Sequence, residues 1–293
     1  MNIDKLYEKV AANGHVCVGL DTAVEYVPAL ERKRSPNDAQ AVLDFNKALI
    51  DATFDACACY KVQIAYYEEM GIAGLFAYAK TLEYIRSKNV LCIADIKRGD
   101  IADTAFRYVK AHFTGEFQAD FVTISPYMGM DSVEPWLKEA QALGKGAFVL
   151  MRTSNKGYKD FQDLTVSETG EKLYYSVADK MTAVAGQNMG KNGYGIFGVV
   201  VGCTEREEAA KIRENYKELF FLIPGYGTQG GGAEDAAILL RNGNGGVVNA
   251  SRSIITAWQK EDGSENADNI FAAKAARKAA ENMRDEILSV VKK

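Results

Sequence analysis

Prolines are scarce in this chain, five among 293 residues, and histidines scarcer, with two. So little proline, beside 47% hydrophobic and 25% charged residues, excludes collagen-like and low-complexity chains and leaves an ordinary globular composition. An excess of one charge is missing as well, because 35 Lys and Arg stand against 39 Asp and Glu, a net charge of −4. That balance gives no global field to draw the chain onto nucleic acid or an anionic membrane, so any phosphate must be held by a local cluster. No apolar run approaches the roughly 18 residues of a membrane-spanning helix, and the opening MNIDKLYEKVAANG lacks the apolar stretch of a secretion signal. Neither nucleic acid nor membrane is expected as a partner.

Cysteines are too few and wrongly grouped for a disulfide framework. Cys17, Cys57, Cys59, Cys92 and Cys203 are odd in number and sit in or beside apolar runs such as HVCVGL and VLCIAD, the habit of buried thiols in a cytoplasmic protein. Cys57 and Cys59 form a C-x-C pair with no second Cys/His pair to complete it, and His15 and His112 lie far apart in sequence. No metal site is expected from these residues, and proton chemistry falls to lysine and aspartate.

What the chain does have is alternation. Eight β-rich runs recur: HVCVGLD (15–21), CACYKVQI (57–64), VLCIADIK (90–97), FVTISP (121–126), AFVLMRT (147–153), IFGVVVG (196–202), LFFLIPG (219–225) and GVVNAS (246–251). Several are apolar almost throughout, as parallel strands covered on both faces must be. Amphipathic stretches separate them at 39–55, 71–88, 101–113, 131–143, 170–189, 205–216, 233–242 and 267–291. An irregular polar insertion, about 154–169, follows the fifth strand, and no linker divides the chain. Eight βα units predict an α/β fold, a single (β/α)8 TIM barrel over residues 1–293, whose functional residues end the strands; an open doubly wound sheet is the lesser expectation.

Polar residues that end strands are therefore the candidates: Asp21, Lys61, Asp95, Lys97, Asp100, Ser125, Ser154, the loop Gly225 to Gly232, and Asn249 to Arg252. In DIKRGD, Asp95 and Lys97 are two apart and so expected on one strand face, with Asp100 beyond a glycine turn. Alone, that is a structural ion pair. Lys61 at the end of the neighbouring strand makes it a Lys-Asp-Lys-Asp array, and two buried cations with two buried anions are costly enough that function is the better reason to keep them. The second set, PGYGTQGGG after the seventh strand with Arg252 after the eighth, suits a phosphate: glycine-loop amides, the helix start near Ala233 and a guanidinium fork converge where such barrels hold phosphate. Ser154 and Asn155 form a third, weaker set that suits a planar amide-like ligand.

Together these motifs resemble the orotidine 5′-phosphate decarboxylase family over essentially the whole chain, in the order GLD, YKVQIAYYE, DIKRGD, VLMRTSN, PGYGTQGGG and NASRSI. KRGDI, ISPYMGMDS and RTSN are in the style of its longer bacterial branch. The resemblance implies cofactor-free decarboxylation of orotidine 5′-monophosphate to UMP. Lys97 is then the proton donor to C6, Asp95 faces the substrate carboxylate, and Lys61 contacts the ribose and holds the array. Asp21 binds a ribose hydroxyl, Ser154 the pyrimidine, and Gln229 and Arg252, with Gly225, Gly227 and Gly230, the phosphate. Asp100 and Thr104 reach across a homodimer into the partner's site. Two alternatives remain: a metal-dependent sugar-phosphate decarboxylase or synthase of the same superfold, which needs further carboxylates around Mg²⁺, and a nucleotide-binding regulator on an inactive barrel.

Overall fold

The structure is a computed structural model and describes residues 1–202, 205–227 and 230–291. Cys203 and Gln229 lie outside the described residues. Eight strands, β1 (Val16–Gly19), β2 (Cys59–Gln63), β3 (Leu91–Arg98), β4 (Phe121–Ile124), β5 (Gly146–Arg152), β6 (Phe197–Val201), β7 (Phe221–Ile223) and β8 (Gly246–Ala250), pair in parallel in chain order. β8 returns to β1 through Val16↔Val248 and Cys17↔Asn249, closing the (β/α)8 barrel. An open sheet is thereby excluded. No described helix is long and apolar enough to cross a membrane.

The helices are α1 (Asn2–Asn13), α2 (Ala29–Arg34), α3 (Asp38–Thr53), α4 (Ala65–Glu68), α5 (Gly71–Ser87) and α6 (Ala102–Phe113), followed by α7 (Glu134–Leu143), α8 (Leu173–Gln187), α9 (Arg206–Asn215), α10 (Ala233–Ile238), α11 (Arg252–Ile255) and α12 (Asn269–Val291). α3 shows why such segments coil. Asn37 caps its start by accepting from Gln40 N at 2.9 Å, and Val42, Phe45 and Leu49, three and four residues apart, with Ile50 beside them, bury one face. α12 buries Ala272, Ala276 and Ala280 and packs on α3, where Arg277 Nη1 donates to the Ala52 carbonyl at 2.8 Å.

α1 was absent from the expected units. Ile3, Leu6 and Val10 bury its inner stripe, and its polar groups reach the chain just before several strands. Asn2 bonds Asp120 at 2.9 Å, Asp4 accepts from Asn192 N at 3.2 Å, and the Tyr7 carbonyl accepts from Asn244 at 3.2 Å. Those partners precede β4, β6 and β8, so α1 closes the N-terminal end of the barrel. α8 begins at Leu173 rather than near Gly170, because a Thr165↔Lys172 bridge and a turn at Gly170 (φ 71°) prolong the insertion. Tyr158 anchors the insertion, stacked 3.9 Å from the Arg152 guanidinium and donating to Glu205 at 2.9 Å. α10 stops at Ile238, well short of 242.

Below the strand ends, Phe121, Phe148 and Phe220 stack with centroids 5.4 and 6.5 Å apart. Glycine on β6 makes room for them: a Cβ on Gly198 would lie 2.2 Å from the Phe220 carbonyl and 2.9 Å from the Phe148 ring. Neither neighbour is the tip of a flexible side chain, so Gly198→Ala is expected to cost about 1–3 kcal/mol by overpacking. Urea unfolding checks this, and an unchanged midpoint would contradict it.

Candidate active site

The C-terminal strand ends surround a cavity of about 750 Å³. Its walls differ. β1 to β4 contribute Asp21, Lys61, Gln63, Asp95, Lys97 and Thr123, whereas Leu150, Val200, Leu222 and Pro224 from β5, β6 and the β7 segment are apolar. Ser154 and Asn155 enter after β5, and Gly225, Tyr226, Asn249, Ser251 and Arg252 after β7 and on and after β8.

The charged wall is a chain of contacts. Lys61 Nζ donates to Asp21 Oδ1 at 2.8 Å and Asp95 Oδ2 at 2.9 Å, and Lys97 Nζ donates to Asp95 Oδ1 at 2.6 Å. Gln63 Nε2 adds a bond to Asp95 Oδ2 at 3.0 Å and Thr123 Oγ1 one to Asp95 Oδ1 at 2.8 Å, while Ser251 Oγ holds Asp21 Oδ2 at 2.8 Å. Ser251 reaches Asp21 because β1 has no side chain there: a Cβ on Gly19 would fall 1.9 Å from Ser251 Oγ. Burial separates the lysines, with side-chain exposure of 7% for Lys61 and 47% for Lys97. Burial by itself would strip the Lys61 proton, but the Asp21 and Asp95 carboxylates outweigh it and hold the ammonium above the ordinary lysine range. Likewise, burial favours neutral Asp95, yet Lys61 and Lys97 keep it ionised, well below the usual carboxylate range.

Strand alternation does not bring Lys97 to Asp95, contrary to expectation. The β3–β4 register shifts between Ala94 and Arg98, and Lys97 has a left-handed φ of 43°. A bulge therefore aims its side chain back over the cavity. Asp100 and Thr104 lie outside the cavity lining, Asp100 Oδ1 accepting from Ile101 N at 2.9 Å and Thr104 exposed on α6. Within one chain the array is Asp21, Lys61, Asp95 and Lys97. Ser125 lines a separate, largely apolar cavity of about 460 Å³.

In the glycine loop Gly225 lines the cavity, whereas Gly227 and Gly230 shape the turn at φ 75° and 89° without lining it. The start of α10 is less open than expected, since Gly232 N donates to Asp235 Oδ2 at 2.8 Å. Arg252 is left as the cation at this end. Gln63, Thr123 and Ser251 were missed as array members, although a polar residue inside an apolar strand run was the available signal for the first two. Asn249 presents a buried Oδ1 with no partner among the described residues.

Residues 14–267 match the orotidine 5′-phosphate decarboxylase / HUMPS family. The orotidine 5′-phosphate decarboxylase of Clostridium kluyveri is 52% identical over 291 residues, 99% of this chain and 98% of that protein. That of Petrotoga mobilis is 50% identical over 290 residues, 99% of each. Among solved structures, the OMP decarboxylase of Leishmania donovani is similar with a TM-score of 0.75 and 31% identity, over 99% of this chain and 98% of that one.

The charge array makes stability depend on pH with a definite sign. A carboxyl depressed in the folded state stabilises above its unfolded pKa, about 4, and that contribution is lost as pH falls towards the folded value. A lysine raised in the folded state stabilises below its unfolded pKa, about 10.4, and loses this as pH rises beyond it. The stability difference between wild type and Asp95→Asn is thus expected to be flat from about pH 5 to 9 and to shift against wild type below about pH 4. Denaturant unfolding across pH measures it, and a difference constant down to about pH 2 would contradict the assignment.

Proposed function

Because this chain belongs to the orotidine 5′-phosphate decarboxylase / HUMPS family, we propose that it decarboxylates orotidine 5′-monophosphate to UMP and CO2 without a cofactor, in pyrimidine synthesis. The whole chain acts as one domain, in the cytoplasm, where its buried thiols stay reduced. The observation that carries the reading is the Lys97 ammonium held 2.6 Å from an ionised, immobilised Asp95 at the edge of the cavity.

The bond from C6 to the carboxylate breaks, CO2 leaves, and the electron pair stays on C6, which has no ready electron sink. A fixed ammonium beside that carbon stabilises the charge where it develops and then transfers a proton to it. Lys97 suits this because it is half exposed and so regains a proton from water, whereas buried Lys61 remains a permanent cation. Asp95 faces the departing carboxylate. Lys61 and Asp21 take the ribose, Ser154 the pyrimidine against the apolar wall, and Arg252 with the Gly225 to Gly230 loop and Gln229 the phosphate. Phosphate binding remote from C6 supplies energy that is realised in the transition state.

Asp100 and Thr104 serve the partner's site in a homodimer. Their position outside their own cavity supports this, as do the exposed apolar side chains of Ile101, Tyr127 and Met128 in the loops after adjacent strands β3 and β4. The metal-dependent alternative is disfavoured by Lys61, whose Nζ bridges Asp21 and Asp95 and fills the place between carboxylates that a divalent ion requires.

Lys97→Ala is expected to lower turnover of orotidine 5′-monophosphate, followed by absorbance, by more than about a thousandfold, with UMP still bound. EDTA is expected to leave the wild type unchanged. Near-normal turnover in the variant would refute the proton donor, and loss of activity in chelator would refute metal-free chemistry. In mixed dimers of Asp21→Asn and Asp100→Ala chains, one of the two sites holds both wild-type aspartates. Isolated heterodimers should therefore exceed either parent clearly, and no gain would rule out sharing.

A further inference from the structure

Thr123 stands at the point where the irregular backbone of β3 meets the charged array. The β3–β4 ladder pairs Ile93↔Phe121 and Ala94↔Val122, then resumes at Arg98↔Ile124. Between these pairs β3 advances four residues and β4 two, so two residues of β3 are extra. The N–H groups of Ile96 and Lys97 in that excess turn to a side chain, each donating to Thr123 Oγ1 at 3.0 Å. The same hydroxyl gives its only proton to Asp95 Oδ1 at 2.8 Å, the oxygen that also receives Lys97 Nζ. Both lone pairs and the proton of one buried hydroxyl are thereby used, so its orientation has no alternative.

This matters because Lys97 is a non-glycine residue at φ 43°. A left-handed conformation is disfavoured for such a residue and persists only where surrounding contacts over-determine it. Here one atom supports both ends of the lysine: its backbone N–H and, through Asp95, its ammonium. Resting on the reading of Lys97 as proton donor, we infer that Thr123 is a positioning residue that holds the β3 bulge and Asp95 in register so that Lys97 Nζ meets the reacting carbon. Valine would keep the shape of this buried side chain, 1% exposed, and would supply neither the acceptor nor the proton.

Thr123→Val and Thr123→Ser separate hydroxyl from shape. In the valine variant kcat should fall about 10- to 100-fold, the range for a lost hydrogen bond to a charged group. UMP affinity and KM should stay within about threefold, because the contacts to phosphate and ribose are untouched. Serine keeps the hydroxyl and should retain kcat within about threefold; if the valine variant does not fold, Thr123→Ala, which also lacks the hydroxyl, should show the same loss of kcat with KM kept. Unchanged kcat in the valine variant, a parallel loss of UMP affinity, or a serine variant as slow as valine would each overturn the inference. A wild type inactive on orotidine 5′-monophosphate would instead overturn the underlying reading, and this inference with it.

Discussion

The Asp95 carboxylate, 5% exposed, accepts hydrogen bonds from four side chains, Lys61 and Gln63 on one oxygen and Lys97 and Thr123 on the other. An anion at this depth survives only because two ammonium groups and two neutral donors replace its water. The four donors come from three strands: Lys61 and Gln63 on β2, Lys97 on the β3 bulge, Thr123 on β4. Moving any of these strands by one residue would take at least one donor from the buried carboxylate. Strand register and active-site charge are thus one constraint, and the barrel has little freedom to relax around it.

The rest of the molecule supplies what that constraint needs. Closure of β8 on β1 brings Ser251 to Asp21, and bare backbone at Gly19 leaves room for the contact. α1 seals the opposite end, and the phenylalanine stack fills the interior below the site, so the cavity opens only where chemistry is wanted. The apolar residues Leu150, Val200 and Leu222 face the charged wall. A planar ring can rest on one side and meet fixed charge on the other, and a small overall net charge is no obstacle to a local concentration of cations such as Arg252 and Lys97.

Periodicity carried most of the fold. Eight apolar runs with amphipathic segments between them correspond to eight paired strands, and the polar residues ending them include Asp21, Lys61, Asp95 and Lys97. Local irregularities were not legible, because they depend on partners distant in sequence. DIK reads as plain alternation, and only the pairing with β4 shows that Lys97 lies in a bulge. Thr123 looks like a β-branched strand residue until its hydroxyl is seen against β3. The apolar stripe Ile3, Leu6, Val10 was visible, but nothing near it indicates that it closes a barrel. α10 begins where its glycines suggest, yet its own Asp235 takes the N–H that a phosphate was expected to use.

The central claim is that a buried carboxylate, pinned by four donors, sets the lysine ammonium against C6 of a pyrimidine nucleotide. A crystal structure with UMP bound tests it most directly. The account predicts Lys97 Nζ within about 3.5 Å of C6, a near-attack separation, with Asp95 still bonded to Lys61 and Thr123 and the phosphate on Arg252. A nucleotide seated with C6 away from Lys97, or with its phosphate at the charged array, would contradict it.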